Sequence, residues 1–207
     1  MSVIEFSFAG LAMTTDRTLL PPRDWTAAQS AWGAQLLEHL PPGPVLELCA
    51  GAGHIGLAAV HGSDRRLVAV DREQTAQVRI RANADALGMG DRVEIRCCDL
   101  AEALTAQERF PLIIADPPWV PHASIGDHPL DPPGAIDGGP DGMGVAHECV
   151  RVIDEHLAIG GAALLQLGTR HQVDRLRLPN GLQVQEVREY ERGVLVHLHR
   201  SRPGDTS

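Results

Sequence analysis

Aromatic residues make up only 3% of the 207-residue chain: three Trp, three Phe and one Tyr. A core built on ring stacking is excluded. The interior has to come from Leu, Val, Ile and Ala, which suits a chain that is 43% hydrophobic with a mean hydropathy of −0.09. No run of 18 or more apolar residues occurs, so no membrane span is expected. Met1 to Phe8 lacks a basic stretch followed by a long apolar core, so no secretory signal is read. Cysteine is scarce. Cys49, Cys97, Cys98 and Cys149 form no C-x-x-C pair, and adjacent Cys97 and Cys98 are poorly placed to bridge each other. Free thiols and a cytoplasmic location are expected. Ten histidines form neither H-x-x-x-H nor H-E-x-x-H, so no metal site is expected. The net charge of −9 weighs against broad binding to a phosphate backbone, which needs clustered basic residues.

What the chain does have is Val45-Leu46-Glu47-Leu48-Cys49-Ala50-Gly51-Ala52-Gly53-His54-Ile55-Gly56. Prolines 41, 42 and 44 bound a short apolar run upstream, and glycines bound it downstream. This pattern predicts a strand buried on both faces, a glycine turn and a helix packed on the sheet. Two cofactors use such a turn. Gly51, Gly53 and Gly56 satisfy the dinucleotide pattern G-x-G-x-x-G, and Asp71 follows at the end of a strand-like run. S-adenosylmethionine (SAM) sites often carry an acid four positions before the first glycine, where Glu47 stands.

Along the chain, Val3 to Phe8 alternates like a strand. Gly10 to Thr15 and then Arg17 to Leu20 complete a hairpin with Asp16 at its turn. Asp24 is the expected N-cap of a helix from Trp25 to Leu40, with Trp32 on its core face. Strands are predicted at Val45–Cys49, Leu67–Val70, Val93–Cys97, Leu112–Ala115 and Ala162–Leu167. Helices are predicted at Ile55–His61, Glu73–Leu87 (closed by Gly88), Ala101–Ala106, Met143–Leu157 and Gln172–Leu176. Leu182–Tyr190 and Val194–His199 read as two final strands, and residues 201–207 as a flexible tail. The alternation predicts a single α/β domain over 1–200, with a hairpin and helix in 1–40 and a cofactor-binding core over 45–200. Its sheet is doubly wound, seven-stranded and mostly parallel, with one antiparallel strand late in the chain. Pro117 to Gly142 is a long Pro/Gly-rich loop at the carboxyl end of the fourth core strand, where open α/β sheets bind ligands.

Glu47, Asp71 and Asp99 fall at the ends of the first three core strands and are expected to line one edge. Asp71 can accept from both ribose hydroxyls. Glu47, beneath the turn, can orient a positive amino acid group. Asp99 can accept from an adenine amine while Leu100 packs on the ring. A row of carboxylates favours SAM over a negative pyrophosphate. Asp116-Pro117-Pro118-Trp119 then ends the fourth strand. Its prolines fix φ and remove two donors. Asp116 and the Pro117 carbonyl can accept the two N–H bonds of a planar NH2 group, with Trp119 stacking on its flat face. Holding both hydrogens aims the nitrogen at a methyl group, and Asp116 can also take up charge or a proton. His122, His128 and His147 near the loop read as exposed loop residues.

On these motifs the chain resembles the class I SAM-dependent methyltransferases with an [ND]-P-P-[YFW] motif. Within them it is similar to the HemK-type family, which methylates glutamine side chains of release factors. Phe8-Ala9-Gly10-Leu11, Leu19-Leu20-Pro21-Pro22-Arg23-Asp24-Trp25-Thr26 and Ala135-Ile136-Asp137-Gly138-Gly139-Pro140-Asp141-Gly142-Met143 carry the resemblance over nearly the whole chain. It implies a Rossmann-like class I fold and a SAM site at Glu47, Cys49, Ala50, Gly51, Ala52, Gly53, Asp71, Arg72, Asp99, Leu100 and Asp116. It also implies an acceptor site at Asp116, Pro117, Pro118 and Trp119, of which Asp116, Pro117 and Trp119 are catalytic. The family usually has Asn-Pro-Pro-Tyr, and its bacterial enzymes carry a helical domain before the hairpin, whereas the sequence here starts at the hairpin. The implied acceptor is a protein glutamine, such as one in a release factor, with a small partner protein in some short relatives. An RNA or DNA base, or a small molecule, is the alternative acceptor. A nicotinamide oxidoreductase is the reading from another class.

Overall fold

The computed structural model describes residues 3–200. Its centre is a seven-stranded sheet in the order β5-β4-β3-β6-β7-β9-β8. The strands are β3 (Val45–Leu48), β4 (Leu67–Asp71), β5 (Val93–Cys97), β6 (Phe110–Ala115), β7 (Leu157–Leu167), β8 (Leu182–Tyr190) and β9 (Gly193–Arg200). The pairs β3/β4, β3/β6, β4/β5 and β6/β7 are parallel. β9 inserts between β7 and β8 and is antiparallel to both, so it is the single reversed strand. The chain first winds outward through β4 and β5, then returns to the other side of β3 for β6. The strand order therefore reverses between β3 and β6, and the crevice outside their carboxyl ends is where such a sheet holds ligands.

The apolar runs are continuous because both faces are covered. Leu46, Leu48, Val68, Val70, Ile113 and Ala115 face α5 (Gly144–His156). Val45, Leu67, Ala69, Leu112 and Ile114 face the layer of α1 (Asp24–Leu37), α2 (His54–Val60) and α3 (Gln74–Ala86). Ile114 is fully buried, and cutting it to Ala would cost about 2–5 kcal/mol. Gly33 lets α1 lie close on β6: a Cβ there would already sit 3.3 Å from Ile114 Cδ1. Trp32 is 3% exposed and packs on Leu164 and Leu195, edge-on to His197. Arg65 caps the carboxyl end of α1 from a distant loop, donating to the carbonyls of Leu37, Leu40, Pro41 and Gly43.

Several boundaries differ from expectation. The hairpin pairs β1 (Val3–Phe8) with β2 (Leu11–Asp16) and turns at Ala9–Gly10, both at positive φ, not at Asp16. Asp16 ends β2, and its carboxylate accepts from the Thr18 N–H and hydroxyl. Helix α1 starts one residue early, so the cap position falls on Arg23 and not on Asp24. A single 3-10 turn, Leu100–Glu102, replaces the short helix expected at Ala101–Ala106. β7 begins at Leu157, five residues before Ala162, because Phe110 pairs with Leu157 across an irregular register. The short helix α6 runs Arg170–Asp174, shifted toward its Thr169 capping box. Between Pro117 and Gly142 the chain forms a 3-10 segment (His122–Asp127) and the one-turn helix α4 (Pro133–Ile136). The tail at 201–207 lies outside the described residues.

Candidate active site

A cavity of about 320 Å³ opens at the carboxyl ends of β3 to β6. Its floor is made by the turns after four strands: Cys49–Gly51, Asp71–Glu73, Cys98–Leu100 and Asp116–Val120. Thr18–Pro21, Arg23, Trp25 and Thr26 form one wall. His128, Asp131 and Gly134–Ile136 of the long loop form the facing wall, and Val145, Glu148 and Arg192 complete the rim. Arg23 pairs with Asp131, so the segment before α1 and the loop after β6 meet above the cavity.

The glycine turn is built by acids at two levels. Asp71 lines the cavity, and its two oxygens accept from Gly51 N–H (2.8 Å) and Glu73 N–H (2.9 Å). Burial raises its carboxyl above the ordinary value, and those two hydrogen bonds oppose the rise. Gly51 has φ +54, and a Cβ there would meet nothing within 4 Å, so the backbone faces open space. Glu47 sits one layer deeper. It is 2% exposed, it does not line the cavity, and its Oε1 accepts from Gly56 N–H at 2.8 Å. Burial pushes its carboxyl up to about 8. The third glycine of the motif is required by this contact: a Cβ on Gly56 would stand 2.8 Å from Glu47 Cδ and 2.9 Å from Leu67 Cδ1. Ala52 and Gly53 are likewise behind the wall; the Ala52 carbonyl accepts from Asn83 Nδ2. Cys49 reaches the cavity in a left-handed conformation, φ +58, with its Sγ 4.0 Å from that of Cys149. That contact, and then burial, holds its thiol well above the usual value.

Asp116 follows β6, half-buried at the cavity floor, and burial pushes its carboxyl up to about 7. Neither its carboxylate nor the Pro117 carbonyl accepts a hydrogen bond among the described residues. Trp119 rests its ring against a glycine. A Cβ on Gly168 would fall 2.6 Å from Cδ2 of the indole, so only glycine leaves room for the ring. Gly168→Ala is expected to push Trp119 out of place and to lower any turnover at this site at least about tenfold, with Tm lowered by overpacking of about 1–3 kcal/mol. Kinetics and thermal melting of the variant check this; unchanged turnover would show that the indole position does not matter.

The Ala135–Met143 segment folds against the same motif. Val120 bridges Asp137, donating to Ile136 O and accepting from Gly138 N–H, both at 2.9 Å. A Cβ on Gly138 would come 2.8 Å from Pro118 O. His122 pairs with Asp137 at 2.8 Å and is exposed, His128 lines the cavity, and His147 stands on α5. Among the described residues no group of three His, Cys, Asp or Glu is placed to hold a metal, and no helix is long and apolar enough to cross a membrane.

The structure therefore brings Cys49, Ala50, Gly51, Asp71, Arg72, Asp99, Leu100 and the whole Asp116–Trp119 motif to one cavity, and leaves Glu47, Ala52 and Gly53 behind it. Sequence reading missed His54, Arg23–Asp131, Asn83, Gln29 and Gln172. His54 lines the cavity at 7% exposure, with burial lowering its pKa to about 4 and its Nδ1 unpartnered among the described residues. Asn83 ties the hairpin to the glycine turn through Thr14 and Ala52. Asn83 and Gln29 do leave a signal, since each stands on the buried stripe of its helix where an apolar residue is expected.

The protein family described as conserved hypothetical protein 95 matches residues 28–127. The release factor glutamine methyltransferase of Mycolicibacterium smegmatis is 30% identical over 174 residues, 77% of this chain and 58% of that protein. The ribosomal protein uL3 glutamine methyltransferase of Bradyrhizobium diazoefficiens is 33% identical over 129 residues, 60% of this chain and 40% of that protein. The chain thus spans about half the length of these two curated relatives. Among solved structures, the ribosomal protein L11 methylase of Lactobacillus delbrueckii superposes with a TM-score of 0.66 at 15% identity, covering 91% of this chain and 84% of that one. A 16S rRNA methyltransferase of Thermus thermophilus, solved with AdoMet and guanosine, gives 0.66 at 19% identity, covering 97% of this chain and 50% of that one. The chain thus shares the fold of these solved methyltransferases, and its sequence is similar to those of proteins named as glutamine methyltransferases of release factors and of ribosomal protein uL3.

Proposed function

We propose that the chain is a SAM-dependent N-methyltransferase whose acceptor is the side-chain amide of a protein glutamine. The observation that carries this reading is the pair of free acceptors, the Asp116 carboxylate and the Pro117 carbonyl, at the floor of the cavity. The residues around the glycine turn fit the cofactor. Asp71 keeps acceptor capacity on both oxygens beyond its two backbone bonds, and Gly51 opens its backbone to the cavity. Asp71 would hold the ribose, Asp99 and Leu100 the adenine, and Cys49–Gly51 the amino acid end. When bound, the cofactor supplies a methyl group on a positive sulfur.

A primary amide delocalises its nitrogen lone pair, so it attacks poorly unless it is held. Asp116 and Pro117 O take its two hydrogens and fix the nitrogen in line, while Trp119 covers the flat face. Asp116 then accepts a proton from the methylated nitrogen, a task suited to a carboxyl that titrates near 7. Supporting a protein over a nucleic acid acceptor, the cavity carries Asp71, Glu73, Asp99, Asp116, Asp131 and Glu148 against Arg23, Arg72 and Arg192. Six acids against three arginines repel a phosphate backbone. The sequence relatives point the same way, since their names are those of glutamine methyltransferases.

The test is methyl transfer from labelled SAM into fractions of a source-cell lysate, followed by protease or nuclease. Label lost with protease and recovered as methylglutamine is the expected result. Label lost with nuclease would replace the proposal with base methylation, and no binding of SAM at millimolar concentration would remove it altogether.

A further inference from the structure

We infer that Gln29 and Gln172 are positioning residues for the acceptor motif: two buried side-chain amides, one from each face of the sheet, hold the backbone carbonyls at its two ends. The inference rests on the reading of Asp116–Trp119 as the acceptor site. Pro117 and Pro118 have no N–H, so the motif cannot be fastened through its amides as an ordinary strand is. Anchorage has to come through carbonyls. Gln29, on α1, is fully buried, and its Nε2 donates to Ala115 O and Leu164 O at 3.1 Å each. Ala115 is the residue directly before Asp116. This bond also locks β6 to β7 at the point where the motif leaves the sheet. Gln172, on α6, is 6% exposed, and its Nε2 donates to Trp119 O at 2.9 Å and to Gly142 O at 3.3 Å. Its Oε1 accepts from Gly168 N–H at 2.8 Å and Thr169 N–H at 3.1 Å. One side chain thus ties the last residue of the motif, the end of the long loop and the turn on which the Trp119 ring lies.

Stability alone gives a poor account of Gln29. Its Oε1 is buried with no partner among the described residues, an arrangement that costs about 1–3 kcal/mol. Its contribution is placement. Near-attack geometry is unforgiving, and a shift of about 1 Å from a change outside the reacting groups can cost about a hundredfold in rate.

Gln172→Glu separates clamp from cap. A glutamate keeps the oxygen that accepts from Gly168 and Thr169, and so keeps the capping box, but it loses both donations and sets a carboxylate against two carbonyls. The expected result is a kcat lowered by about tenfold to a hundredfold with KM and SAM affinity nearly unchanged. Gln172→Met and Gln29→Met, of similar volume and without charge, guard against a glutamate that fails to fold. A second readout needs no acceptor. In a Trp25→Phe, Trp32→Phe background Trp119 is the sole indole, and acrylamide quenching of its fluorescence should rise when Gln172 is replaced. A wild type that transfers methyl groups beside a folded Gln172 variant of equal kcat overturns the inference. A wild type that transfers none overturns the function reading instead, and the quenching then decides the clamp: a rise supports it and no change removes it.

Discussion

Replacing Asp116 by Ala is expected to lower methyl transfer by about a hundredfold or more while leaving SAM affinity within a few-fold of wild type. On the proposed reading, the loss removes one of the two acceptors that hold the amide and the carboxylate that receives its proton. The pH dependence identifies which role dominates. Burial places the Asp116 carboxyl near 7. Its ionised form accumulates as pH rises, so kcat/KM of the wild type should climb through pH 7 and level above it. Asp116→Asn retains an acceptor oxygen for one N–H but cannot titrate. It should keep part of the activity with a flat profile across this range. A wild-type profile that falls through pH 7, or an Asp116→Ala variant of unchanged turnover, would defeat the assignment.

The second large effect is on stability. Glu47 has an ordinary value of 4.5 in the unfolded chain and about 8 in the fold, because burial disfavours its charge. A raised pKa means that folding takes up a proton. The contribution is fully present below pH 4.5 and is lost as pH rises toward 8. At pH 7 the accumulated loss is about 3 kcal/mol, from about 1.4 kcal/mol per pH unit. Glu47→Gln keeps an oxygen for Gly56 N–H and removes the titration. The variant should therefore melt higher than wild type at pH 7, by about 5–10 °C for a chain of this size. The gain should shrink to nothing near pH 4. Thermal melts of both proteins at the two pH values check this. A variant that melts lower at pH 7 would mean that Glu47 is held ionised by something other than its buried surroundings.

How far each part was legible follows from the range of the forces involved. Strand β3 and its glycine turn are local: an apolar run between prolines and glycines is best satisfied by burial on both faces, and the turn takes positive φ at Gly51 and Gly53, which glycine accepts without strain. Val93–Cys97 and Leu182–Tyr190 have the expected bounds for the same reason. Glu47, Asp71 and Asp99 were expected along one edge because parallel strands end on one side; Asp71 and Asp99 do line the cavity and Glu47 does not. The hairpin turn was misplaced because Asp16 looks like a turn residue, whereas Ala9 carries no such mark and is held at φ 49 by the pairing on either side of it.

What the sequence by itself determined is the order of strands and helices, the class of fold and the row of acids at the strand ends, since these depend on periodicity and on conformational preferences within a few residues. Only the tertiary structure decided which acids face the cavity. Glu47 and Asp71 read alike along the chain, but the pleat turns Glu47 toward α2 and under Gly56, while Asp71 ends its strand and opens to the cavity. The roles of Gln29, Asn83 and Gln172 were decided in the same way. The carbonyls to which these buried amides donate lie 30 to 135 residues away along the chain, and no local pattern encodes contacts that form only when such distant segments are brought within hydrogen-bond distance.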